Sequence, residues 1–458
     1  MTGYRAAFAL IPALVLLAYW NAFAGGFQFD DFNVIVENPA VASLAAWWQS
    51  MPGIRPLLKL SYTLNRASAG GDANQGLFGF HVVNLALHAG NALLLYAILR
   101  RLLMAHAHAA GIAMLAALLF AVHPVHSEAV TMISGRSMSL MALFYLASLL
   151  AYLDNRLRLS LALFAAALAT RETALTLPLA LLLIERLRPS GQPLESALRR
   201  GGGHWLLAAL AAVALLLLPS FRRLAEVSLA TRPLLDNLIS QTAAILYLLR
   251  QALWPFALDA DPMLPSFTGW NVFWALTVPL CLGLLAGAAL LWRRAGLARW
   301  TGFGLLWFCL HLAPTNSLLP RLDLANERHL YLANAGLCLI VALWLTHLAR
   351  NRQRLLAGTA AVLLFGFAMA TQVRNQVYRD EVAFWRDVAA KNPQHSRALN
   401  NLGYALAASG QAGAALAAYD QALRLSPDDF TARLNRLALC RAMPPLPRSS
   451  CIEPHDGR

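Results

Sequence analysis

The chain has 458 residues, of which 58% are hydrophobic and only 13% are charged. A soluble domain carries about a quarter charged residues, so this composition excludes a water-soluble enzyme, a disordered chain and a fibrous protein. The sequence therefore predicts an all-α, polytopic membrane protein. The formal net charge of +14 is almost entirely due to arginine. Because cytoplasmic loops of membrane proteins collect arginine, this charge requires no nucleic-acid partner.

The first apolar segment, at about 5–23, is either a transmembrane span or a cleaved signal peptide, since Ala22-Phe23-Ala24 resembles a cleavage site. Both interpretations place residue 25 and the segment after it on the outer side. Residues 158–187 are apolar but interrupted by Arg171-Glu172, which indicates two short spans that meet at this pair. Further apolar segments of about 20 residues predict spans near 81–100, 107–124, 137–153, 204–220, 271–292, 300–319, 329–349 and 355–373.

Arginine in short loops sets the predicted orientation. With the N-terminus inside, the inner loops contain Arg100, Arg101, Arg156, Arg158, Arg186, Arg188, Arg199, Arg200, Arg293, Arg294, Arg299, Arg350, Arg352 and Arg354. Residues 234–253 are apolar enough to cross, but a crossing would move the last two arginine clusters outside. We therefore assign them to the outer interface or to a re-entrant segment. The prediction is about eleven spans, an outer C-terminus and two long outer loops at 25–80 and 221–270.

Acidic residues follow the opposite distribution. Fifteen of them precede position 375, and only Asp154, Glu185 and Glu195 fall on the predicted inner side. Charged groups close to hydrocarbon are costly and are usually kept for function. Any chemistry is therefore expected on the outer face.

The sequence changes character after the predicted membrane domain, which covers residues 1–375. Residues 380–441 are polar and helical, and 396–429 match the 34-residue tetratricopeptide (TPR) pattern. The matching positions are Leu402-Gly403, Ala415, Tyr419, Ala422 and Pro427. A stack normally needs about three repeats to be stable. This short TPR domain is therefore expected to pack against the membrane domain or a protein partner. The Pro-rich tail, 442–458, is predicted to be disordered.

Two adjacent carboxylates, Asp30 and Asp31, directly follow the first span. Adjacent like charges raise the pKa of one group, which suits a general base. The alternative is a solvated loop end or a helix cap. This pair is the clearest catalytic candidate in the sequence.

A second polar cluster, His123, His126 and Glu128, lies at an outer span end, and Arg136 opens the next span. Pro124 interrupts the helix between the two histidines, which weakens a metal-binding interpretation. The alternatives are histidines with interfacial hydrogen-bond partners or a site for a phosphate or substrate. No metal site or cofactor is assigned, and a divalent metal ion is left open.

Two charged pairs occur at other span ends. Arg171-Glu172 lies between two short spans, and Glu327-Arg328 precedes a later span. The first pair is either a structural salt bridge or part of a site, and the second is either an interfacial anchor or part of a site. Arginine suits a phosphate site because its planar guanidinium grips phosphate oxygens in pairs.

One segment carries polar residues at helical spacing inside an apolar span. The residues are His81, Asn84, His88 and Asn91. Polar side chains within spans form hydrogen bonds between helices. The spacing therefore predicts a polar seam between packed helices.

Several of these segments resemble one known family. They are FDDFNVIVENPAV, the RPL..LSY.LN stretch with GFHVVNLALH, LFAVHPVHSEAVTMISGR, TRETALTLPLALLL and ERHLYL. Their order and the TPR-like sequence after them are similar to the transmembrane and TPR repeat-containing proteins. Those proteins are protein O-mannosyltransferase-like members of the GT-C glycosyltransferase superfamily. The resemblance covers nearly the whole chain, about 20–430.

The resemblance implies a multi-span GT-C fold and inverting transfer of a sugar from a polyprenyl-phosphate donor on the outer side of the membrane. The implied acceptor is a hydroxyl of a protein Ser or Thr, or of a glycan. Asp30 or Asp31 is implied as the catalytic base. Residues implied in binding the lipid phosphate or substrate are His123, His126, Arg136, Arg171, Glu172, Glu327 and Arg328. Arg171 stands where the family more usually has Lys. The family's GR motif falls on Arg136 and is often followed by a polar or acidic residue, whereas Ser137-Met138 follow it here.

The short TPR portion fits a bacterial relative, so we expect a bacterial inner-membrane protein, in contact with membrane lipid, with the TPR segment on the periplasmic side. A rival hypothesis is a non-catalytic membrane scaffold whose TPR segment binds a protein partner. The enzyme hypothesis requires Asp30-Asp31, Glu172 and Arg328 to line one outward-facing cavity. A transporter is less favoured, because the spans contain no visible inverted repeat.

Overall fold

A computed structural model describes residues 2–187, 193–349 and 352–442 of the chain. Within these ranges the secondary structure is α-helix with short 3-10 and π turns and no β-strand, which confirms the all-α prediction. From residue 443 onward the predicted tail 442–458 lies outside the described residues. Arg188 and Arg350 of the predicted inner loops lie outside them as well.

The helices follow the predicted apolar segments closely, because continuous apolar sequence with internally satisfied backbone favours helix in a membrane. Their bounds are α1 (Thr2–Tyr19), α2 (Leu44–Gln49), α3 (Pro56–Ser68), α4 (Leu77–Leu102), α5 (Ala109–Val122), α6 (Ser127–Val130), α7 (Arg136–Leu153), α8 (Leu157–Thr170), α9 (Leu177–Leu187), α10 (Leu194–Arg200), α11 (Gly202–Leu217), α12 (Pro219–Thr231), α13 (Leu234–Leu253), α14 (Val272–Trp292), α15 (Gly296–Leu312), α16 (Leu330–Leu348), α17 (Gln353–Val377), α18 (Glu381–Lys391), α19 (Ser396–Ala408), α20 (Ala412–Leu425) and α21 (Phe430–Ala442). Each predicted span therefore contains a helix.

Not every apolar helix is long enough to cross a membrane alone. Within the described ranges six stretches are long and apolar enough, namely Tyr4–Ala24, Leu77–Leu102, Ile133–Leu153, Val272–Trp292, Glu327–Leu348 and Gln353–Val377. Two bent pairs, α5 with the turn after it and α10 with α11, raise the number to eight if each pair is one span. The helices α8, α9 and α15 have 14, 11 and 17 residues, below the ~20 that a lone span needs. The polytopic fold fits the structure, and the number eleven stays a prediction.

Buried polar side chains join the central helices. On α4, the Asn84 side chain donates to a carbonyl of α6 at 3.1 Å, and the Asn91 side chain donates to a carbonyl of α7 at 2.8 Å. The His88 ring lies 2.8 Å from the hydroxyl of Tyr331 on α16. These contacts confirm the polar seam predicted on α4.

The arginine-rich loops meet at one end of these helices. Arg101 donates two hydrogen bonds of 2.6 and 2.9 Å to Asp154, which joins the ends of α4 and α7. Arg200 pairs with Glu185, and Arg299 donates to a carbonyl at the end of α9. Acidic residues predicted for the inner side thus neutralise arginines of the same loops.

The chain divides into two compact units. The first consists of Met1–Leu258 and Leu264–Gln376, and the second consists of Asp259–Met263 and Val377–Arg458. The main apolar core of the first unit contains side chains from α1, α4, α5, α7, α9, α15 and α16.

The second unit contains α18 to α21. Gly403 lets α19 approach α20, because a Cβ at this position would lie 2.6 Å from the ring of Tyr419. Within the same unit, Asn392 donates to the Asp259 carboxylate at 2.6 Å and Arg397 donates to the Asp261 carboxylate at 2.5 Å. Gly403 and Tyr419 are both positions of the TPR match, and the TPR assignment itself stays a prediction.

Candidate active site

A cavity of about 720 Å³ opens in the first unit. Its charged and polar lining includes Asp30, Glu172, Arg321, Asp323, Asn326 and Arg328. Its apolar lining includes Leu215, Phe221, Leu224, Val227, Leu318, Leu319 and Leu322. The fold therefore brings Asp30, Glu172 and Arg328 to one cavity from distant segments, beside an apolar surface.

Arg328 connects two carboxylates at the cavity. Its Nη1 atom donates to Asp30 at 2.8 Å, and its Nε atom lies 3.4 Å from a Glu128 oxygen. The backbone N–H of Arg328 donates to the other Glu128 oxygen at 2.7 Å. Because a 3-10 turn begins at Glu327, the chain presents both this N–H and the guanidinium to the same acid. Arg328 thus fixes the position of Asp30 relative to the membrane helices.

A tight turn gives the two adjacent aspartates different surroundings. The backbone N–H groups of Gln28 and Ser134 donate to the two carboxylate oxygens of Asp31, at 3.0 and 2.6 Å. Burial raises the pKa of Asp31 from 3.8 to about 6, although these hydrogen bonds act in the opposite direction. Asp30 lines the cavity and keeps 34% of its side chain exposed. Only Asp30 is therefore placed to meet a substrate.

Arg171 and Glu172 follow α8 and have different partners. Arg55, at the start of α3, donates two hydrogen bonds of 3.0 and 2.5 Å to the Glu172 carboxylate. Arg171 is buried and donates to the Ser137 hydroxyl at 2.6 Å. The bidentate pair of Glu172 is thus formed with a residue more than 100 positions away in the sequence.

Arg136 does not line this cavity, because its guanidinium is fully buried among α3, α4 and α7. It donates to the side-chain oxygens of Asn84 and Asn65 at 2.7 and 2.6 Å and to the Phe80 carbonyl at 3.0 Å. Its planar group also lies over the ring of Tyr62, 5.0 Å from the centroid. These contacts hold three helices together. Arg136 can therefore influence the site only through the packing of those helices.

His123, His126 and Glu327 also lie away from the cavity lining and are buried. The His123 ring is 3.1 Å from a carbonyl of α13, and the His126 ring is 2.9 Å from a carbonyl of α5. Glu327 forms an ion pair of 3.1 Å with Arg374. The three side chains join helices to one another. In the described ranges no group of three His, Cys, Asp or Glu side chains is arranged to hold a metal ion.

Sequence reasoning missed two groups of the cavity, Arg321 and Asp323, and the partner of Glu172, Arg55. Arg321 and Asp323 precede the Glu327-Arg328 motif in a loop that the pattern placed on the outer side. Two charges in such a short outer loop were an available signal. Nothing in the sequence pairs Arg55 with Glu172, because only tertiary packing brings α3 to the end of α8.

The chain matches no family model. It is similar to protein O-mannosyl-transferase Tmtc3 of Drosophila melanogaster, with 27% identity over 522 residues that cover 93% of this chain and 56% of that protein. It is also similar to protein O-mannosyl-transferase TMTC4 of Homo sapiens, with 26% identity over 488 residues that cover 90% of this chain and 65% of that protein. A shorter stretch is 34% identical to protein O-mannosyl-transferase Tmtc2 of Drosophila melanogaster and covers 41% of this chain and 22% of that protein.

The chain spans 56% and 65% of the length of the first two relatives. It is thus similar to protein O-mannosyl-transferases over most of its own length but not over most of theirs. These similarities support the resemblance that the motifs indicated, at 25–27% identity for alignments that cover most of the chain.

Proposed function

We propose that the chain is an integral membrane glycosyltransferase that moves a sugar from a polyprenyl-phosphate-linked donor to a hydroxyl group of a protein. The observation that carries this proposal is the convergence of Asp30, Glu172 and Arg328 on one cavity of about 720 Å³. The relatives named as protein O-mannosyl-transferases support the reaction class. The apolar part of the cavity lining supports a donor that carries a hydrocarbon chain.

Asp30 is the base in this proposal, and Asp31 is not. Both oxygens of Asp31 are engaged by backbone N–H groups in a buried turn, whereas Asp30 is partly exposed in the cavity. Asp30 takes the proton of the acceptor hydroxyl while the hydroxyl oxygen attacks the anomeric carbon of the sugar. The bond from this carbon to the donor phosphate breaks, and its electron pair leaves with the phosphate.

The arginines have separate tasks in this mechanism. Arg328 holds Asp30 in place through its 2.8 Å hydrogen bond. Positive charge around the cavity stabilises the phosphate as its negative charge develops. His123, His126, Arg136, Arg171 and Glu327, buried outside the cavity lining, support the helices that carry the site.

We place the reaction on the outer face, which is the periplasmic face of the inner membrane if the chain is bacterial. The arginine-rich loops favour an inner location for the end of α4 and α7 that carries Arg101 and Asp154. The segment with Asp30 and Asp31 is attached at the other end of α7, through the Ser134 N–H. The second unit is proposed to contact the protein acceptor or another partner.

The experiment compares single substitutions in a transfer assay with a polyprenyl-phosphate mannose donor. Asp30→Asn is expected to lower the rate at least about a hundredfold, because general bases contribute about 10²–10⁴. Asp31→Asn is expected to lower thermal stability as well as the rate. Glu226→Gln is the matched control, since Glu226 is an exposed carboxylate on α12 outside the cavity lining. An Asp30→Asn variant with more than half the wild-type rate would contradict the proposal.

A further inference from the structure

Two arginines, Arg321 and Arg328, line the cavity, and a third, Arg55, pairs with the cavity residue Glu172. Arg328 binds the carboxylates of Asp30 and Glu128. Arg55 binds both oxygens of Glu172. These two guanidinium groups are therefore largely neutralised before any ligand enters.

Arg321 lines the same cavity but has no carboxylate within salt-bridge distance among the residues that the structure describes. Its Nη1 atom instead contacts Nε2 of His329 at 2.8 Å. Arginine can only donate, so Nε2 accepts this bond and the His329 ring is neutral. Arg321 is thus held by a neutral acceptor, and its guanidinium is not paired directly with a carboxylate among the described residues.

The electrostatic surroundings of Arg321 also favour an anion. Burial lowers the pKa of Arg321, and the positive charges of Arg328 and Arg55 lower it further, whereas the negative charges of Glu172 and Asp323 partly offset this effect. A bound anion would offset this repulsion. His329 itself is buried, with 1% exposure, so its contact with Arg321 is shielded from solvent.

Apolar side chains lie beside this guanidinium. Leu318, Leu319 and Leu322 flank Arg321 in the chain and line the cavity, as do Leu224 and Val227 of α12. The two segments are joined, because the Ser228 hydroxyl donates to the Pro320 carbonyl. These apolar side chains add no binding free energy for a free inorganic anion. A phosphate with a hydrocarbon chain, by contrast, buries apolar surface against them.

We propose that Arg321 is the residue that binds the phosphate of a lipid-linked phosphate, and that His329 is its positioning residue. This inference rests on the proposed function for the class of ligand. It assigns phosphate recognition to a residue that neither the motifs nor the resemblance identified.

The test measures direct binding of farnesyl phosphate to the purified full chain in detergent, with farnesol and inorganic phosphate as separate probes. Arg321→Gln is expected to weaken farnesyl phosphate binding about ten- to a hundredfold, since it removes charge-assisted hydrogen bonds. Arg321→Lys is expected to retain part of the affinity, because the charge remains but the fork is lost. Arg250→Gln is the control, because Arg250 is exposed on α13 and lies outside the cavity lining. Thermal unfolding without ligand checks that each variant is folded.

The outcomes separate the two proposals. Equal affinity of Arg321→Gln and wild type for farnesyl phosphate overturns the assignment of Arg321 and leaves glycosyl transfer standing. A wild-type chain that binds farnesyl phosphate no better than farnesol overturns both the assignment and the lipid-phosphate donor. If inorganic phosphate binds as tightly as farnesyl phosphate, the site is a free-anion site and the lipid assignment is wrong.

The positioning role of His329 has its own readout. His329→Leu removes the acceptor of the Arg321 hydrogen bond and is expected to weaken farnesyl phosphate binding about tenfold. His329→Gln keeps a neutral acceptor and is expected to restore most of the affinity. Failure of the Gln variant to rescue, in a chain that unfolds at the wild-type temperature, would overturn the role of His329.

Discussion

The carboxylates of Asp30 and Asp31 are adjacent, but their hydrogen bonds give them different tasks. Asp31 ties the first outer segment to the turn before α7, because its oxygens accept from Gln28 and Ser134. Asp30 points to the cavity and to Arg328. Asp31 therefore stabilises the turn that positions Asp30 at the cavity.

A pH effect on stability follows from Asp31. Its pKa is raised from 3.8 to about 6 by burial, so the folded chain holds this proton more tightly than the unfolded chain does. The stabilisation is complete below about pH 4 and is lost as the pH rises through 6. At about 1.4 kcal/mol per pKa unit, the loss amounts to about 3 kcal/mol. Thermal unfolding of the wild type between pH 4 and 7 is expected to show this decline on top of the contributions of other groups.

Asp31→Asn isolates this contribution, because asparagine does not titrate. The advantage in unfolding temperature of wild type over Asp31→Asn is expected to be largest at low pH, to shrink as the pH rises and to change most between pH 4 and 6. Glu226→Gln, at an exposed carboxylate, is expected to leave the pH profile unchanged. A pH-independent difference between wild type and Asp31→Asn would contradict the role of burial.

At the scale of elements, glycines set how closely two membrane helices approach. The backbones of α15 and α16 meet at Gly304 and Gly336, where a Cβ on either residue would lie within 2.6 Å of the other's carbonyl oxygen. Helices in membranes pack through such small residues, since van der Waals contact drives their association. The contact also supports the site, because the turn with Arg328 leads directly into α16.

Substitution of these glycines tests the contact. Gly304→Ala and Gly336→Ala are each expected to destabilise the folded chain by about 1–3 kcal/mol through overpacking. Gly283→Ala and Gly287→Ala on α14 are matched controls, since a Cβ there meets no atom within 4 Å. The measurement is thermal unfolding in one detergent. Equal unfolding temperatures for all four variants would show that α15 and α16 are not held by this contact.

At the scale of the whole molecule, the membrane unit has two unlike ends. Arg101 and Asp154 join α4 and α7 at one end, and Arg136 joins the starts of the same helices at the other. An 18-residue helix such as α7 is about 27 Å long, which is close to the thickness of the hydrocarbon core. The segment with Asp30 is fastened at the Arg136 end.

Thiol labelling tests this orientation. Ser68→Cys lies at the exposed end of α3, and Arg158→Cys lies at the exposed start of α8. A membrane-impermeant thiol reagent is expected to label Ser68→Cys in intact cells and to label Arg158→Cys only after permeabilisation. The unsubstituted chain measures the background from its native cysteines. The opposite pattern would place the candidate site on the cytosolic side and remove the basis of the proposed function.

Particular residues show how far sequence reasoning reached. The helices were predictable because apolar runs must satisfy their own backbone in a membrane, and the predicted span at 81–100 became Leu77–Leu102. Asp30, Glu172 and Arg328 were selected because charges at span ends are costly without a role. Arg136 and His126 carried the same sequence signal as Arg328, yet they are buried in helix contacts. A polar residue near the end of a span indicates that a partner is needed, but the sequence does not show which residue is the partner.

The amino-acid sequence by itself determined the all-α polytopic class, the position of each apolar helix and the end of the molecule that collects arginine. These properties depend on local composition and on transfer from water to hydrocarbon. Only the tertiary structure decided that Asp30 faces the cavity while Asp31 is buried and that Arg55 pairs with Glu172. Those outcomes depend on which distant side chains meet after packing, and contacts across more than 100 residues leave no local pattern.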